Sequence, residues 1–199
     1  GDIPPVIVAV HLGVALTIFA MLLTAPAAAF HRCQVSSAAD RLVFQDPFAR
    51  LSLWTLAGVF VVLISDSVVA GCGATAVWGG WPLCNGFLFP NNPLAWIHMI
   101  HRFIVAAAGV LVILLVAQAW RTPSSHTVIL PAATLSAALF FAQAYIGALK
   151  TSLGFPVFLL AMHVATAAAV WAALVITAMQ TGLSPHIAEE EQKTLETHV

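Results

Sequence analysis

Five long apolar runs constrain the fold of this chain more than any other feature of its sequence. They cover about residues 5–28, 50–71, 95–119, 127–149 and 156–180. A membrane-spanning helix needs about 20 predominantly apolar residues, so each run is long enough to cross a bilayer. Only 8% of the residues are charged, whereas soluble domains contain about 25%. We therefore predict an all-α membrane protein with five transmembrane helices, surrounded by lipid and without a nucleic-acid partner.

Prolines mark where several of these helices would begin. Pro4, Pro93 and Pro156 stand at the start of apolar runs, in the first turn, where a missing N–H breaks no helical hydrogen bond. The chain begins with Gly1 and not Met, so we expect either processing or a further segment upstream. The predicted parts are a first transmembrane helix (1–30), a loop (31–49), a four-helix bundle (50–180) and a polar tail (181–199).

Basic residues predict how the chain is oriented in the membrane. The connections after the first and third helices contain arginines, at Arg32, Arg41, Arg50 and Arg121, whereas the long connection 72–94 contains neither Lys nor Arg. Short loops rich in Lys and Arg face the cytoplasm. We therefore predict that the N-terminus and loop 72–94 face outward and that the C-terminus is cytoplasmic.

Two histidines lie at matching positions in the third and fifth apolar runs. His101 is eight residues after Pro93, and His163 is seven residues after Pro156. At about 1.5 Å per residue, both lie roughly 10–12 Å below the outer surface. The third and fifth helices run in the same direction, so the two imidazoles can approach a haem iron from opposite faces. The alternative is that each histidine only hydrogen-bonds to a neighbouring helix.

Three further polar residues accompany this histidine pair. Arg102 is suited to bind a haem propionate through two hydrogen bonds, or else it reaches toward lipid headgroups. His98 lies one helical turn before His101, where it could support the haem, carry protons or form a structural hydrogen bond. Asp66 lies near the end of the second run. Its predicted roles are to pair with Arg102 or to carry protons, and the alternative is a carboxylate that contacts water at the membrane interface.

The first and last helices resemble each other at an offset of 152 residues. The segment from Pro4 to His11 aligns with the segment from Pro156 to His163, which predicts that His11 lies at the same depth as His163. Helix one would then be the closing helix of an earlier repeat, and repeats in membrane proteins usually carry related sites. We predict that His11 faces a second haem. It would be the only protein ligand of that iron, or another chain or copy would supply the opposite ligand. The remaining alternative is that His11 is vestigial.

Four segments of this chain resemble the haem A synthase family, which converts haem O to haem A for cytochrome oxidases. They are WPLCNG at 81–86, WIHMIHR at 96–102, QAYIGA at 143–148 and AMH at 161–163. The resemblance extends through helices two to five in the family's order. It implies a bacterial plasma-membrane protein with a haem b in its four-helix bundle.

The resemblance also implies roles for individual residues. The family has two four-helix halves, with haem b in the C-terminal half and the substrate haem in the N-terminal half. His101 and His163 correspond to the ligands of haem b iron, with His98 and Arg102 beside them. His11 corresponds to a ligand of the substrate-side haem, which would be haem O or haem A.

Two departures from the family leave the catalytic residues unassigned. The family's N-terminal half has a glutamate one turn before its His-Arg pair, where this chain has His98. Cys72 and Cys84 are also farther apart than the family's two cysteines, yet both lie in a loop predicted to face the oxidising side, where disulfides persist. We expect them to form a disulfide that fixes this loop over the haem edge.

Three functions remain open from the sequence alone. The first is participation in haem A synthesis, with electrons passing through haem b. The second is a non-catalytic b-type cytochrome subunit of a larger respiratory or photosynthetic complex. The third is an assembly or scaffold subunit that does not bind haem.

Overall fold

A computed structural model of the chain describes residues 4–34, 42–77, 81, 83, 88–122 and 128–183. These residues contain five α-helices and no strand. The helices are α1 (Pro5–Gln34), α2 (Pro47–Gly71), α3 (Pro93–Arg121), α4 (Ile129–Ser152) and α5 (Val157–Leu183), with a 3-10 helix at Ala74–Val77. All five α-helices are long and apolar enough to cross a membrane, so the predicted all-α, multi-pass membrane fold is confirmed. The polar tail predicted at the C-terminus lies outside the described residues from 184 onward.

Polar caps set the first residues of α2 and α3. The Asp46 carboxylate accepts hydrogen bonds from the backbone N–H groups of Phe48 and Ala49, at 2.8 and 3.2 Å. The Asn92 side chain accepts one from Leu94 at 2.9 Å. A proline follows each cap, as is common at the first position of a helix. Helix α2 therefore begins three residues before its apolar run, because its cap lies in the polar segment ahead of it.

The last four helices form a ring in which each contacts two neighbours. Helix α2 packs against α3 and α5, and α4 packs against the same two helices from the opposite side. Helices α3 and α5 therefore lie diagonally across the bundle and run in the same direction. Helix α1 lies outside this ring, against α2 and α5.

The C-terminal half of α5 is the most enclosed part of the structure. The Trp171 indole N–H donates to the carbonyl of Leu16 in α1 at 2.9 Å. The Ser52 hydroxyl of α2 hydrogen-bonds to that of Thr181 at 2.6 Å. The Phe44 ring lies so close to Gly182 that a Cβ there would meet it at 2.9 Å. These contacts close one end of the bundle, so an internal cavity can form only toward the other end.

Helix α1 has a broad apolar face that no described part of the chain covers. Val6, Ile7, Met21 and Leu22 are each more than half exposed. In a membrane protein such a face contacts lipid tails, which are as apolar as these side chains. The exposed apolar surface therefore fits the membrane location.

Candidate functional site

A cavity of about 330 Å³ lies inside the four-helix ring. All four helices line it, and Trp81 of the connection between α2 and α3 contributes as well. Its walls are mainly apolar, from Val59, Val62, Leu63, Val105, Phe140 and Val170. Polar side chains from each helix also reach it, which is the usual composition of a ligand site.

His101 and His163 reach this cavity from the two diagonal helices. The Nε2 atom of His101 lies 3.6 Å from one carboxylate oxygen of Asp66, Oδ1. The Nε2 atom of His163 lies 3.4 Å from the other oxygen, Oδ2. The same ring nitrogen of both histidines therefore faces one small region of the cavity, although the residues are 62 positions apart in the sequence.

Asp66 also forms an ion pair with Lys150 of α4. The Lys150 ammonium lies 3.4 Å from Oδ1 of Asp66, and its side chain is only 13% exposed. The fourth apolar run was predicted to end at about residue 149, which leaves Lys150 just outside it. That boundary was wrong, because α4 extends to Ser152. The extra turn holds the ammonium group inside the bundle beside the two histidines.

Ser65 holds the other ring nitrogen of His101. Its hydroxyl oxygen lies 2.8 Å from His101 Nδ1, and the hydroxyl donates to the backbone carbonyl of Val62 at 2.8 Å. The sequence reasoning did not include Ser65. Its sequence signal was weak, because Ser65 and Ser67 both stand next to Asp66.

Gly147 of α4 makes room for the His163 ring. A Cβ at this position would lie 3.2 Å from His163 Cε1, which is closer than ordinary van der Waals contact. The buried His163 Nδ1 and the Gln143 Oε1 have no hydrogen-bond partner among the described residues. Histidines 101 and 163 therefore have different surroundings at Nδ1, one hydrogen-bonded and one packed against a glycine.

The remaining predicted residues divide between the cavity and other places. Arg102 and the buried His98 both line the cavity, and the His98 ring lies 6.4 Å from the His101 ring, edge to face. His11 is exposed on α1 and is not part of the cavity lining. Cys72 has no disulfide partner among the described residues. Cys84 lies outside the described residues, so the disulfide stays a prediction.

The donor groups of this cavity fit a haem better than a bare metal ion. Two neutral imidazoles from opposite helices can bind an iron on its two faces, the apolar walls suit a flat macrocycle, and Arg102 and Lys150 can pair with its carboxylates. The described residues contain no cluster of three or more histidine, cysteine or acidic side chains arranged to hold a metal ion. The cavity therefore offers the kinds of groups that a haem with two histidine ligands would need.

Comparison with known proteins gives two overlapping matches to one family, described as cytochrome oxidase assembly protein. They cover residues 2–175 and 91–198, so the shared part is matched twice. The Heme A synthases of Bacillus licheniformis and Alkalihalophilus pseudofirmus are 31% and 30% identical, over 57% and 63% of this chain. Protoheme IX farnesyltransferase 1 of Natronomonas pharaonis is 31% identical over 72% of this chain. The chain spans 38%, 43% and 29% of these relatives, less than half of each.

Proposed function

We propose that this chain binds a haem b and takes part in converting haem O to haem A. The premise is that the chain belongs to the cytochrome oxidase assembly protein family. The observation that carries the proposal is the convergence of His101 and His163. Their Nε2 atoms face the same carboxylate, within 3.6 and 3.4 Å, in one cavity. The names of both sets of relatives refer to haem, which supports haem as the ligand class.

The residues of the cavity would hold the haem in defined ways. His101 and His163 would bind the iron through Nε2, with Ser65 supporting the first of them. Arg102 and Lys150 would bind the propionate carboxylates, since guanidinium and ammonium groups form charge-assisted hydrogen bonds with carboxylates. When bound, haem b supplies one-electron redox chemistry.

The substrate side of the reaction requires more than the described bundle. The conversion oxidises a methyl group of haem O to a formyl group, and it balances with one water as the oxygen source and the release of four protons and four electrons. The haem b would pass these electrons between the substrate haem and an electron-accepting partner. His11 would bind the substrate haem on the side of α1 that faces away from the bundle. Because His101 and His163 are already used in the bundle cavity, we propose that another chain or a second copy supplies the ligand opposite His11.

One observation favours an alternative function. Among the described residues, no glutamate lines the cavity. His98 stands where the family's N-terminal half has its glutamate, as in the family's C-terminal halves. This pattern suits a b-type cytochrome subunit that transfers electrons without modifying haem. Farnesyl transfer is not proposed, because the matched segment is 29% of the relative with that name.

Identification of the bound haem separates these functions. The protein would be purified from a host that makes haem O and haem A, and its haems would be extracted and identified by spectrum and mass. Haem O or haem A beside haem b supports the synthase role. Haem b alone supports the electron-transfer subunit, and protein without haem overturns both.

Replacement of the two histidines tests the site itself. His101→Ala and His163→Ala should each remove the low-spin absorption bands, because a bis-histidine iron needs both ligands. His11→Ala is the matched control, since this histidine lies on α1 outside the cavity. An unchanged spectrum in both bundle variants would refute the assignment.

A further inference from the structure

The two histidines differ in what holds their second ring nitrogen. Ser65 lies 2.8 Å from His101 Nδ1. His163 Nδ1 has no hydrogen-bond partner in the described part of the chain and lies against Gly147. Histidines that bind metals almost always donate the other ring N–H to an acceptor, which fixes the ring and raises its basicity.

The hydrogen bonds around Ser65 determine which atom carries the proton. A serine hydroxyl has one hydrogen, and it is directed to the carbonyl of Val62 at 2.8 Å. The hydroxyl oxygen must then accept the N–H of His101 Nδ1. On the opposite side of the ring, Nε2 lies 3.6 Å from Asp66, beyond normal hydrogen-bond length, so the 2.8 Å contact with Ser65 has the larger effect on which ring nitrogen carries the proton.

We propose that Ser65 is a positioning residue that keeps His101 in the tautomer with Nδ1 protonated and Nε2 ready to bind iron. The inference rests on the proposed haem function. It makes the two iron ligands unequal, with His101 the stronger electron donor. A stronger donor favours the ferric state, so Ser65 would lower the reduction potential of the bound haem.

Substitutions at Ser65 and Ser67 test this role. Ser65→Ala should weaken haem binding by about 10- to 100-fold, the usual cost of losing such a partner, and should shift the reduction potential to more positive values. Ser65→Thr keeps the hydroxyl and should restore both. Ser67→Ala is the matched control, because the Ser67 hydroxyl donates to the carbonyl of Ile64, one turn earlier in the same helix, at 2.7 Å.

A second measurement makes the test independent of haem. Nitrogen NMR of haem-free protein with labelled histidine should show His101 protonated at Nδ1 in the wild type, and at Nε2 or a mixture in Ser65→Ala. Protein that never binds haem would refute the proposed function, while the NMR result would still test Ser65. Haem-bound Ser65→Ala with the wild-type potential and affinity, or an equal shift in Ser67→Ala, would overturn the role of Ser65 alone.

Discussion

At the residue scale, Asp66 occupies the space that both histidines face. Its carboxylate lies within 3.4–3.6 Å of His163, His101 and Lys150. An iron bound to both Nε2 atoms cannot share this position with the carboxylate. Haem binding at this site therefore requires the Asp66 side chain to move and release Lys150, which would then be free to pair with a propionate.

We predict that Asp66→Asn binds haem about tenfold more tightly than the wild type, a change of about 1.4 kcal/mol. The neutral amide competes less strongly for His163, whose Nε2 lies 3.4 Å from the carboxylate, and for Lys150. Haem titration of the purified protein, followed by absorbance, gives the measurement. Lys150→Gln breaks the same ion pair but leaves the carboxylate beside the histidines, so it should not bind haem more tightly. Weaker binding by Asp66→Asn would contradict the competition.

Gly147 supports a second prediction at the same scale. Gly147→Ala should reduce haem binding by tenfold or more, because the new Cβ would lie 3.2 Å from the His163 ring and displace it. Gly58→Ala is matched to it, since its Cβ would meet the flexible end of Leu111 at the same 3.2 Å. That control should bind haem normally and gain helix stability, because alanine favours helices over glycine. Equal haem affinity in both variants would argue against a fixed His163 ring.

At the scale of helices, Trp171 contributes a hydrogen bond that stabilises the packing of α1 against the bundle. Its indole donates to the Leu16 carbonyl and its ring contacts Phe60 at a centroid distance of 5.6 Å. We predict that Trp171→Phe lowers the free energy of unfolding by about 1 kcal/mol, the usual value of one such hydrogen bond. Detergent titration followed by circular dichroism would measure it. Trp54→Phe, at a 67% exposed position of α2, should leave the free energy of unfolding nearly unchanged. If both variants lose the same stability, the effect does not come from the hydrogen bond of Trp171.

At the scale of the whole molecule, α1 is the part that the bundle does not need for its cavity. His11 is exposed there and is not among the residues that line the cavity. We predict that His11→Ala keeps the haem b spectrum but loses a second haem or a tightly bound partner chain. Haem extraction and size measurement of the detergent-solubilised protein would detect either loss. A variant that retains every haem and partner of the wild type would leave His11 vestigial.

The sequence by itself determined the five helices, and it predicted the depth of the two histidines in the membrane. Apolar runs of more than 20 residues can satisfy their backbone groups in lipid only as helices, so their number followed from hydropathy. The spacing from Pro93 to His101 and from Pro156 to His163 set equal depths, because each residue advances a helix by a fixed rise.

Only the tertiary structure decided which side chains surround those histidines. Ser65 and His101 are 36 residues apart, and Asp66 and Lys150 are 84 apart. Helical periodicity orders residues along one helix, but the rotation of each helix against its neighbours depends on side-chain packing. The same packing placed Gly147 against His163 and kept Lys150 inside the bundle. Contacts between helices follow from the shapes of both surfaces together, which no single segment of the sequence contains.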